Sequence, residues 1–265
     1  FHALLLENKS IGNAQTLSSQ GIIHGGAKYA LNGILSKATQ AIGDMPSRWQ
    51  ACLDGQGDVD LTSVKVLANH QLMWSKDQLS SKMVSFFASK ALASRMQSVS
   101  GSARPQLFQH VGFKGALYQL DEPVLDVATV LESLATPYQN RILHCPSEQT
   151  ISWQQDNNKI SAMQVGNITI KAQHFVLTAG EGNEALLNSL NIKKPAMQRR
   201  PLNMVLCKAK SPQQSLPAIY AHSLGTGSKP IATITSHEDQ HGNIIWYIGG
   251  NIAENGVGKS LDTLT

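Results

Sequence analysis

The chain has 265 residues, a net charge of +4, 42% hydrophobic residues and 15% charged residues. This composition excludes intrinsic disorder, and the length allows one large domain or two smaller ones. The basic residues are scattered, which argues against a nucleic-acid partner, and no apolar run approaches the roughly 20 residues of a membrane span. The three cysteines match no metal-binding spacing, so we expect a reduced, cytoplasmic protein.

The first predicted strand ends in an acid. The apolar run over residues 1–6 leads to Glu7, and a carboxylate at the end of a strand can accept hydrogen bonds from both ribose hydroxyls of a dinucleotide. Residues 18–21 then predict the start of a helix that carries His24, and the free N–H groups of such a start suit a pyrophosphate. The two glycines after His24 would let a flat ring system approach the backbone.

The rest of the chain predicts alternating helices and strands. A broken pair of helices is predicted over residues 36–53, and further helices are predicted from Asp77 to about residue 96 and over residues 126–134. Strands are predicted over residues 64–68, 72–74, 115–120, 141–144 and 168–170, with a hairpin turn at 156–158. A buried strand over residues 174–180, ending Thr-Ala-Gly, should lead into a helix with three leucines. From residue 200 the pattern is β-rich, with strands predicted over 202–207, 218–222, 231–236 and 244–250.

Residues 7–29 resemble the second FAD-contacting segment of the D-amino-acid-oxidase/glycerol-3-phosphate-dehydrogenase superfamily of flavoproteins. In that superfamily a strand ending in Glu leads to a Ser/Thr-rich loop and a pattern close to S-x-G-(I/L)-I-H-G-G-x-x-Y. The version at residues 19–29 is similar to the members that oxidise hydroxyl groups, and less similar to the amine-oxidising branch. Residues 174–180 resemble the superfamily's V-V-x-A-A-G strand, and residues 246–256 resemble its last strand.

The resemblance implies an α/β fold, in which an incomplete FAD-binding Rossmann-like domain is interleaved with a mixed β-sheet substrate domain. The FAD-binding domain would comprise residues 1–35 and 125–195, and the substrate or cap domain residues 36–124 and 196–265. A Rossmann domain needs its G-x-G-x-x-G turn roughly 20 residues before the ribose acid. Since only six residues precede Glu7, we expect a fragment without that turn and without the family's C-terminal FAD segment. Alone, such a fragment is expected to be inactive.

The resemblance further implies an FAD-dependent oxidoreductase that transfers a hydride to the flavin from a small CH–OH donor, either a 2-hydroxy acid or a glycerol-3-phosphate-like compound. His24 would be catalytic and take the hydroxyl proton, although a helix histidine bound to a backbone carbonyl is the plain alternative. The implied cofactor-binding residues are Glu7, Gln15, Thr16, Ser19, Gln20, Gly21, Ile22, Thr150, Ala179 and Gly180. The residues that would orient an anionic substrate are Tyr118, Arg200 and Tyr247. The electron acceptor would be oxygen or a quinone, and peripheral association with the inner membrane stays open.

The sequence contains a match to a zinc-binding motif, but its predicted structure does not suit zinc. Residues 237–241 read H-E-x-x-H, and zinc chemistry needs that motif on a helix so that both imidazoles share one face. Here it lies between two β-like runs, and the residues from His241 onward predict a hairpin turn. We therefore assign no metal ligand from the sequence.

Three other functions stay open. Residues 253–260 fit a relaxed P-loop pattern of a nucleotide hydrolase, but only five residues follow, so no later strand can supply the acid that helps hold magnesium. An amine- or amino-acid-oxidising member of the same superfamily is the second alternative. The third is a non-catalytic relic that keeps the fold and has lost the cofactor.

Overall fold

Two compact units make up the chain, and each is built from two separate stretches. Unit 1 comprises residues 1–18 and 134–200, and unit 2 comprises residues 19–133 and 201–265. The computed structural model describes residues 2–26, 42–75, 96–146, 151–157, 159–211, 214–225 and 230–260. The sequence predicts boundaries at residues 35, 125 and 195, whereas the chain passes between the units after residues 18, 133 and 200.

The described residues form short strands and helices in mixed order. The strands are β1 (Leu5–Glu7), β2 (Val66–Ala68), β3 (Gln71–Ser75), β4 (Met96–Ser98), β5 (Ala116–Leu120), β6 (Val124–Leu125), β7 (Ile142–His144), β8 (Ile151–Asp156), β9 (Lys159–Val165), β10 (Ile168–Lys171), β11 (Val205–Cys207), β12 (Ala221–Leu224), β13 (Pro230–Glu238) and β14 (Ile244–Gly249). The α-helices are α1 (Met45–Leu53), α2 (Val127–Ala135), α3 (Asn183–Ser189) and α4 (Asn251–Asn255). The helix predicted from Asp77 lies outside the described residues, as does Thr150. None of the described helices has both the length and the apolar character that a membrane crossing requires.

Unit 1 contains one parallel strand pair and one antiparallel meander. β1 pairs in parallel with β7, so that Glu7 lies opposite His144. β8, β9 and β10 form a three-stranded antiparallel sheet, which confirms the predicted hairpin. The unit's buried cluster consists of Cys145, Met163 and Val165, and the rings of Trp153 and Phe175 pack against it.

The buried strand predicted over residues 174–180 is absent. Residues 174–179 are irregular, and Val176 is 80% exposed. A strand needs at least one neighbouring strand to bond its backbone groups, and none of the described strands pairs with this stretch. The side chain of Asn183 bonds two backbone groups of this stretch instead: it accepts the N–H of Ala179 at 2.9 Å and donates to the carbonyl of Leu177 at 3.1 Å. The helix predicted after this stretch is confirmed as α3.

Unit 2 contains a mixed sheet. Among the described residues it has seven strands in the order β11-β14-β13-β12-β3-β5-β4. Every neighbouring pair is antiparallel except β12 and β3, which run in parallel. This sheet, together with the helices, confirms the α/β class and the presence of a mixed sheet, both predicted from the sequence.

One face of this sheet is apolar and covered. Because successive side chains of a strand alternate between faces, Leu72, Trp74, Leu117 and Ala221 lie on the same side. They form a cluster with Phe108 and the other apolar residues of that side. This cluster is one of two hydrophobic clusters in the described part of unit 2, and the other is formed by Cys52, Leu61, Val64 and Leu125.

The opposite face of the sheet carries polar side chains, and we call it the polar face. The register of the ladders assigns to it Gln71, Ser75, Tyr118, His222, Thr233, Thr235, His237 and Tyr247. Several of these side chains are fully buried, among them those of Gln71, His222 and Thr235. Buried polar groups are costly unless they are bonded, so a face of this composition points to a site rather than to a second core.

Residues 19–26 do not form the predicted helix. Ile22 forms a bridge to Val124, the N–H of Ile23 donates to the carbonyl of Pro123 at 3.0 Å, and the N–H of Leu125 donates to the carbonyl of Gly21 at 2.9 Å. Gly21 has φ +68°, a left-handed conformation that cannot begin an α-helix. The segment is therefore extended, and its backbone groups bond to a distant part of the chain.

The loop between β13 and β14 is the hairpin turn predicted for the H-E-x-x-H residues. His237 and Glu238 lie on β13, and Asp239 organises the turn. Its carboxylate accepts hydrogen bonds from the N–H groups of His241 and Asn243, both at 2.9 Å, and from the side-chain amide of Asn243. Hydrogen bonds from the backbone and side chain of Asn243 favour the ionised form and lower the pKa of Asp239 to about 2.

The substitution Gly21→Ala is expected to destabilise unit 2 strongly. A Cβ at this position would lie 2.0 Å from the carbonyl oxygen of Leu125, in addition to the strain of a positive φ. Gly242→Ala is the matched control, because Gly242 has φ +77° and nothing lies within 4 Å of its added Cβ. We expect about 1–2 kcal/mol for the control and a clearly larger loss for Gly21→Ala, measured by urea unfolding. Equal losses would contradict the close approach at Gly21.

Asn243→Ala is expected to raise the pKa of Asp239 from about 2 toward its usual value of 3.8. The variant removes the side-chain donor and keeps the backbone N–H, so we expect a partial rise, measured by NMR titration of the carboxyl carbon. Because the folded state holds this pKa below the unfolded value, the stabilisation is present above about pH 4 and disappears as the pH falls toward 2. Asp60, whose pKa is lowered by hydrogen bonds from Thr62, is the internal control and should not change.

Candidate active site

His24 and Glu122 form a hydrogen-bonded pair in unit 2. His24 Nδ1 lies 3.2 Å from Glu122 Oε2, and the second oxygen, Oε1, accepts the N–H of Gly25 at 2.7 Å. The carboxylate side chain is 4% exposed, whereas that of His24 is 22% exposed. When Glu122 is a carboxylate it accepts the Nδ1 proton, which makes Nε2 the basic nitrogen of the ring. A buried acid thus orients a ring that solvent and small molecules can reach.

The pair is a direct result of strand register. In the antiparallel bridge, Ile22 lies opposite Val124, so two residues along in each direction His24 lies opposite Glu122. The N–H of Ile23 bonds to the carbonyl of Pro123 between these two positions and fixes the register. Glu122 lies two residues after the end of β5, and the loop at the end of a sheet strand is a common place for functional side chains.

His222 completes a cluster with this pair. It is fully buried on β12, and its ring stacks on that of His24 with 5.9 Å between centroids and 29° between planes. Its Nδ1 lies 2.9 Å from Thr233 Oγ1 on the neighbouring strand. One ligand atom from each of His24, Glu122 and His222 lies within 4.8 Å of those of the other two. We call these three residues the His–Glu–His cluster.

Gln20 fastens the extended segment to the sheet. Its amide nitrogen lies 3.0 Å from the carbonyl oxygen of Thr233, 3.1 Å from that of Tyr247 and 3.3 Å from Thr235 Oγ1. These acceptors belong to β13 and β14, so residue 20 is held at the polar face. The cofactor role that the resemblance implies for Gln20 stays a prediction, and this nitrogen already has structural partners.

The remaining predicted residues divide between the two units. In unit 1, Glu7 ends β1 and its Oε1 accepts the N–H of Lys9 at 2.9 Å. Also in unit 1, Gly180 has φ +55°, and a Cβ there would lie 3.1 Å from Gln15 Oε1, so these two predicted residues are neighbours. The other predicted residues of unit 1 are Thr16, Ala179 and Arg200, all exposed. Those of unit 2 are Ser19, Gln20, Gly21, Ile22, His24, Tyr118 and Tyr247.

The predicted substrate residues Tyr118 and Tyr247 both lie on the polar face. The ring of Tyr247 is 4.4 Å from that of His237, centroid to centroid. Burial lowers the pKa of His237, with Asp126 opposing the effect, which favours the neutral imidazole beside Tyr247. Arg200 belongs to the other unit, and the three predicted substrate residues are therefore not brought together in one unit.

The P-loop interpretation is wrong. Its pattern begins inside α4, and a phosphate-cradling loop must instead join a strand to the start of a helix with its N–H groups free. Here the N–H groups of Gly256, Val257 and Lys259 donate to the carbonyls of Ile252, Glu254 and Gly256. These N–H groups already form backbone hydrogen bonds at the end of the helix and in the turn that follows it, so they do not point to a phosphate.

Glu122 and His222 are the site residues that sequence reasoning missed. Glu122 is 98 residues from its partner His24, and His222 is on a strand still further along the chain. No spacing rule joins positions so far apart. The only signal is the turn Asp121-Glu122-Pro123 directly after a predicted strand, where an acid would stand at a sheet end.

Comparison with known proteins finds one similar curated protein. No family model matches the chain. A curated relative, a probable FAD-dependent oxidoreductase of Pseudomonas aeruginosa, is 44% identical over 254 residues, which are 96% of this chain and 63% of the relative. The crystal structure of the FAD-dependent oxidoreductase from P. aeruginosa matches with a TM-score of 0.79 at 37% identity, over 98% of this chain and 62% of that chain. The chain therefore spans less than two thirds of the length of the relative it matches.

More distant solved structures share the fold. L-proline dehydrogenase from P. horikoshii matches with a TM-score of 0.62 at 13% identity, over 92% of this chain and 62% of that chain. Glycine oxidase from Geobacillus kaustophilus also has a TM-score of 0.62, at 9% identity, over 92% of this chain and 64% of that chain. Together with the P. aeruginosa relative, these matches confirm the resemblance to FAD-dependent oxidoreductases that the sequence predicts: the chain is similar to a large part of one such protein and shares the fold of these more distant structures.

Proposed function

We propose that the protein is an FAD-dependent oxidoreductase that removes a hydride from a carbon bearing a hydroxyl group. Homology to the P. aeruginosa oxidoreductase supports the flavin part of this proposal. The His24–Glu122 pair supports a hydroxyl-bearing substrate, because a histidine that is oriented by a buried carboxylate can accept the hydroxyl proton. A small 2-hydroxy acid or a glycerol-3-phosphate-like compound is the proposed substrate class.

The residues of unit 1 fit the adenosine end of FAD. Glu7 stands at the carboxyl end of a strand in a parallel pair, which is the edge where α/β sheets bind nucleotides. Gly180, in a left-handed conformation beside Gln15, leaves only backbone at a place where a diphosphate would need close approach. We propose that Glu7 holds the ribose and that Gln15, Thr16, Ala179 and Gly180 border the adenosine diphosphate.

In this proposal His24 is the base. FAD, when bound, supplies the hydride acceptor. Nε2 of His24 takes the hydroxyl proton as the C–H bond of the substrate breaks, and Glu122 keeps Nδ1 protonated and stabilises the imidazolium that forms. Tyr118 and Tyr247 on the polar face are the proposed donors that orient the substrate.

The need for a base separates the two substrate branches. An alcohol keeps its proton at neutral pH, so that proton must be removed as the hydride leaves. An amine gives up its extra proton to water beforehand, and its nitrogen lone pair then assists hydride loss without a protein base. An oriented histidine is therefore more useful for a hydroxyl donor.

Amino-acid oxidation is the second candidate function. Its support is that solved structures sharing the fold include an L-proline dehydrogenase and a glycine oxidase. In that case the His24–Glu122 pair would hold the substrate rather than accept its proton. The two candidates thus differ in what substitution of His24 does to the rate.

The first test is flavin reduction by candidate substrates with the protein expressed from its complete gene. Anaerobic bleaching of the flavin absorbance by 2-hydroxy acids, glycerol-3-phosphate or amino acids selects the branch. With a hydroxyl donor, His24→Asn is expected to slow bleaching by about 10²- to 10⁴-fold, the usual contribution of a positioned base. His241→Ala is the control, because His241 is exposed in the β13–β14 turn. Bleaching by amino acids alone would overturn the hydroxyl assignment.

Glu122→Gln is expected to slow flavin reduction nearly as much as His24→Asn while leaving substrate affinity unchanged. The amide oxygen of Gln can still accept the N–H of Gly25, so the backbone contact survives. Its NH₂ group would face Nδ1 and force the proton onto Nε2, which removes the base. Stopped-flow bleaching against substrate concentration separates the limiting rate from the substrate Kd. A change in Kd with an unchanged limiting rate would contradict the positioning role.

A further inference from the structure

We propose that the His–Glu–His cluster binds a divalent transition-metal ion of the zinc class, and that the bound ion inhibits substrate oxidation. The binding itself needs only residues of unit 2, whereas the inhibition rests on the proposed function. Two imidazoles and one carboxylate form a donor set that Zn²⁺ uses with three protein ligands and one open position. Hard ions such as Mg²⁺ and Ca²⁺ prefer oxygen ligands and suit this set poorly.

The cluster has dimensions close to those of such a site. Its ligand atoms lie within 4.8 Å of one another, and Zn²⁺ bonds of about 2.0–2.2 Å put tetrahedral donors roughly 3.3 Å apart. Glu122 Oε2 and His24 Nδ1 are already 3.2 Å apart. Small side-chain rotations at His222 would therefore complete the site, without movement of the strands.

Contacts around the cluster determine which atom of Glu122 and of His222 faces the ion. Thr233 Oγ1 lies 2.9 Å from His222 Nδ1, so the other nitrogen, Nε2, is the one directed to a metal. The N–H of Gly25 holds Glu122 Oε1 at 2.7 Å and leaves Oε2 on the side of His24. Outer contacts of this kind fix the tautomer and direction of metal ligands.

Access to the cluster is through His24. Glu122 and His222 are 3% and 0% exposed, whereas the His24 side chain is 22% exposed. An ion can therefore enter beside His24, and a water or substrate oxygen can take the fourth position. The two buried ligands give the ion a dry environment in which the attraction of Glu122 is strong.

The metal-bound and base-active states exclude each other. Whichever nitrogen of His24 donates its lone pair to the ion, the other nitrogen of the neutral ring carries the proton. Such a ring has no lone pair for a substrate proton. A bound ion therefore removes the base that the proposed oxidation needs.

The test is Zn²⁺ binding to the untagged protein expressed from its complete gene. Calorimetry should show about one ion per chain, and Co²⁺ substitution should give the intense visible bands of a four-coordinate site. His222→Asn should abolish these bands. Thr233→Val, which removes a hydroxyl group and preserves the shape of the side chain, should weaken Zn²⁺ binding by about 10- to 100-fold. This variant tests the site even if His222→Asn does not fold. His241→Ala, in the H-E-x-x-H turn, should bind as the wild type does.

Two results would overturn the site: no Zn²⁺ binding by the wild-type protein, or binding that His241→Ala abolishes and Thr233→Val leaves intact. Inhibition is measured separately, as flavin bleaching with Zn²⁺ and again after addition of a chelator. If a hydroxyl donor bleaches the flavin but the protein binds no metal, the metal site is contradicted and the proposed function is supported. If the protein binds the metal but no hydroxyl donor bleaches the flavin, the metal site is supported and the proposed function is contradicted.

Discussion

The candidate site depends on a short antiparallel pairing between residues 21–23 and 123–125. Two backbone hydrogen bonds and one bridge define it, and their register brings His24 opposite Glu122. Gly21 allows the approach because its left-handed backbone carries no side chain toward Leu125. Gln20 extends the same attachment to β13 and β14. A slip of one residue in this pairing would turn His24 to the other side and separate the pair.

The division of the unit 2 sheet into two faces explains why the site lies there. Trp74, Leu117 and Ala221 supply a core on one side, so the other side is available for polar groups. Alternation along β12, β13 and β14 then delivers His222, Thr235 and Tyr247 to that side from segments far apart in sequence. The sheet thus provides rigid support for a site, which is how a preorganised polar cluster avoids the cost of ordering itself.

Local patterns predicted the elements well where the chain follows local rules. The helix at α2 is an example, since Asp126 caps its first turn by accepting the N–H of Thr129 at 3.1 Å. The helix predicted to begin at residues 18–21 was wrong, because glycines and hydroxyl residues indicate a turn but do not show which distant strand the backbone will join. The resemblance supplied His24, whereas Glu122 and His222 depend on pairings across the sheet that no local pattern encodes. The strand at residues 174–180 was wrong for the same reason, since strand formation requires a neighbour.

The order in which the chain is made imposes a delay on unit 1. β1 pairs with β7, so Leu5 must meet Ile142, and the residues between them belong mostly to the other unit. As the protein leaves the ribosome, β1 emerges well before β7 and has no partner strand until the whole first stretch of unit 2 has been made. Closing so large a loop is slow, and an apolar strand without a neighbour attracts chaperones and other chains meanwhile. The sheet of unit 2 is delayed in the same way, because β3 pairs with β12, which is made later still, so both units depend on pairings between distant parts of the chain.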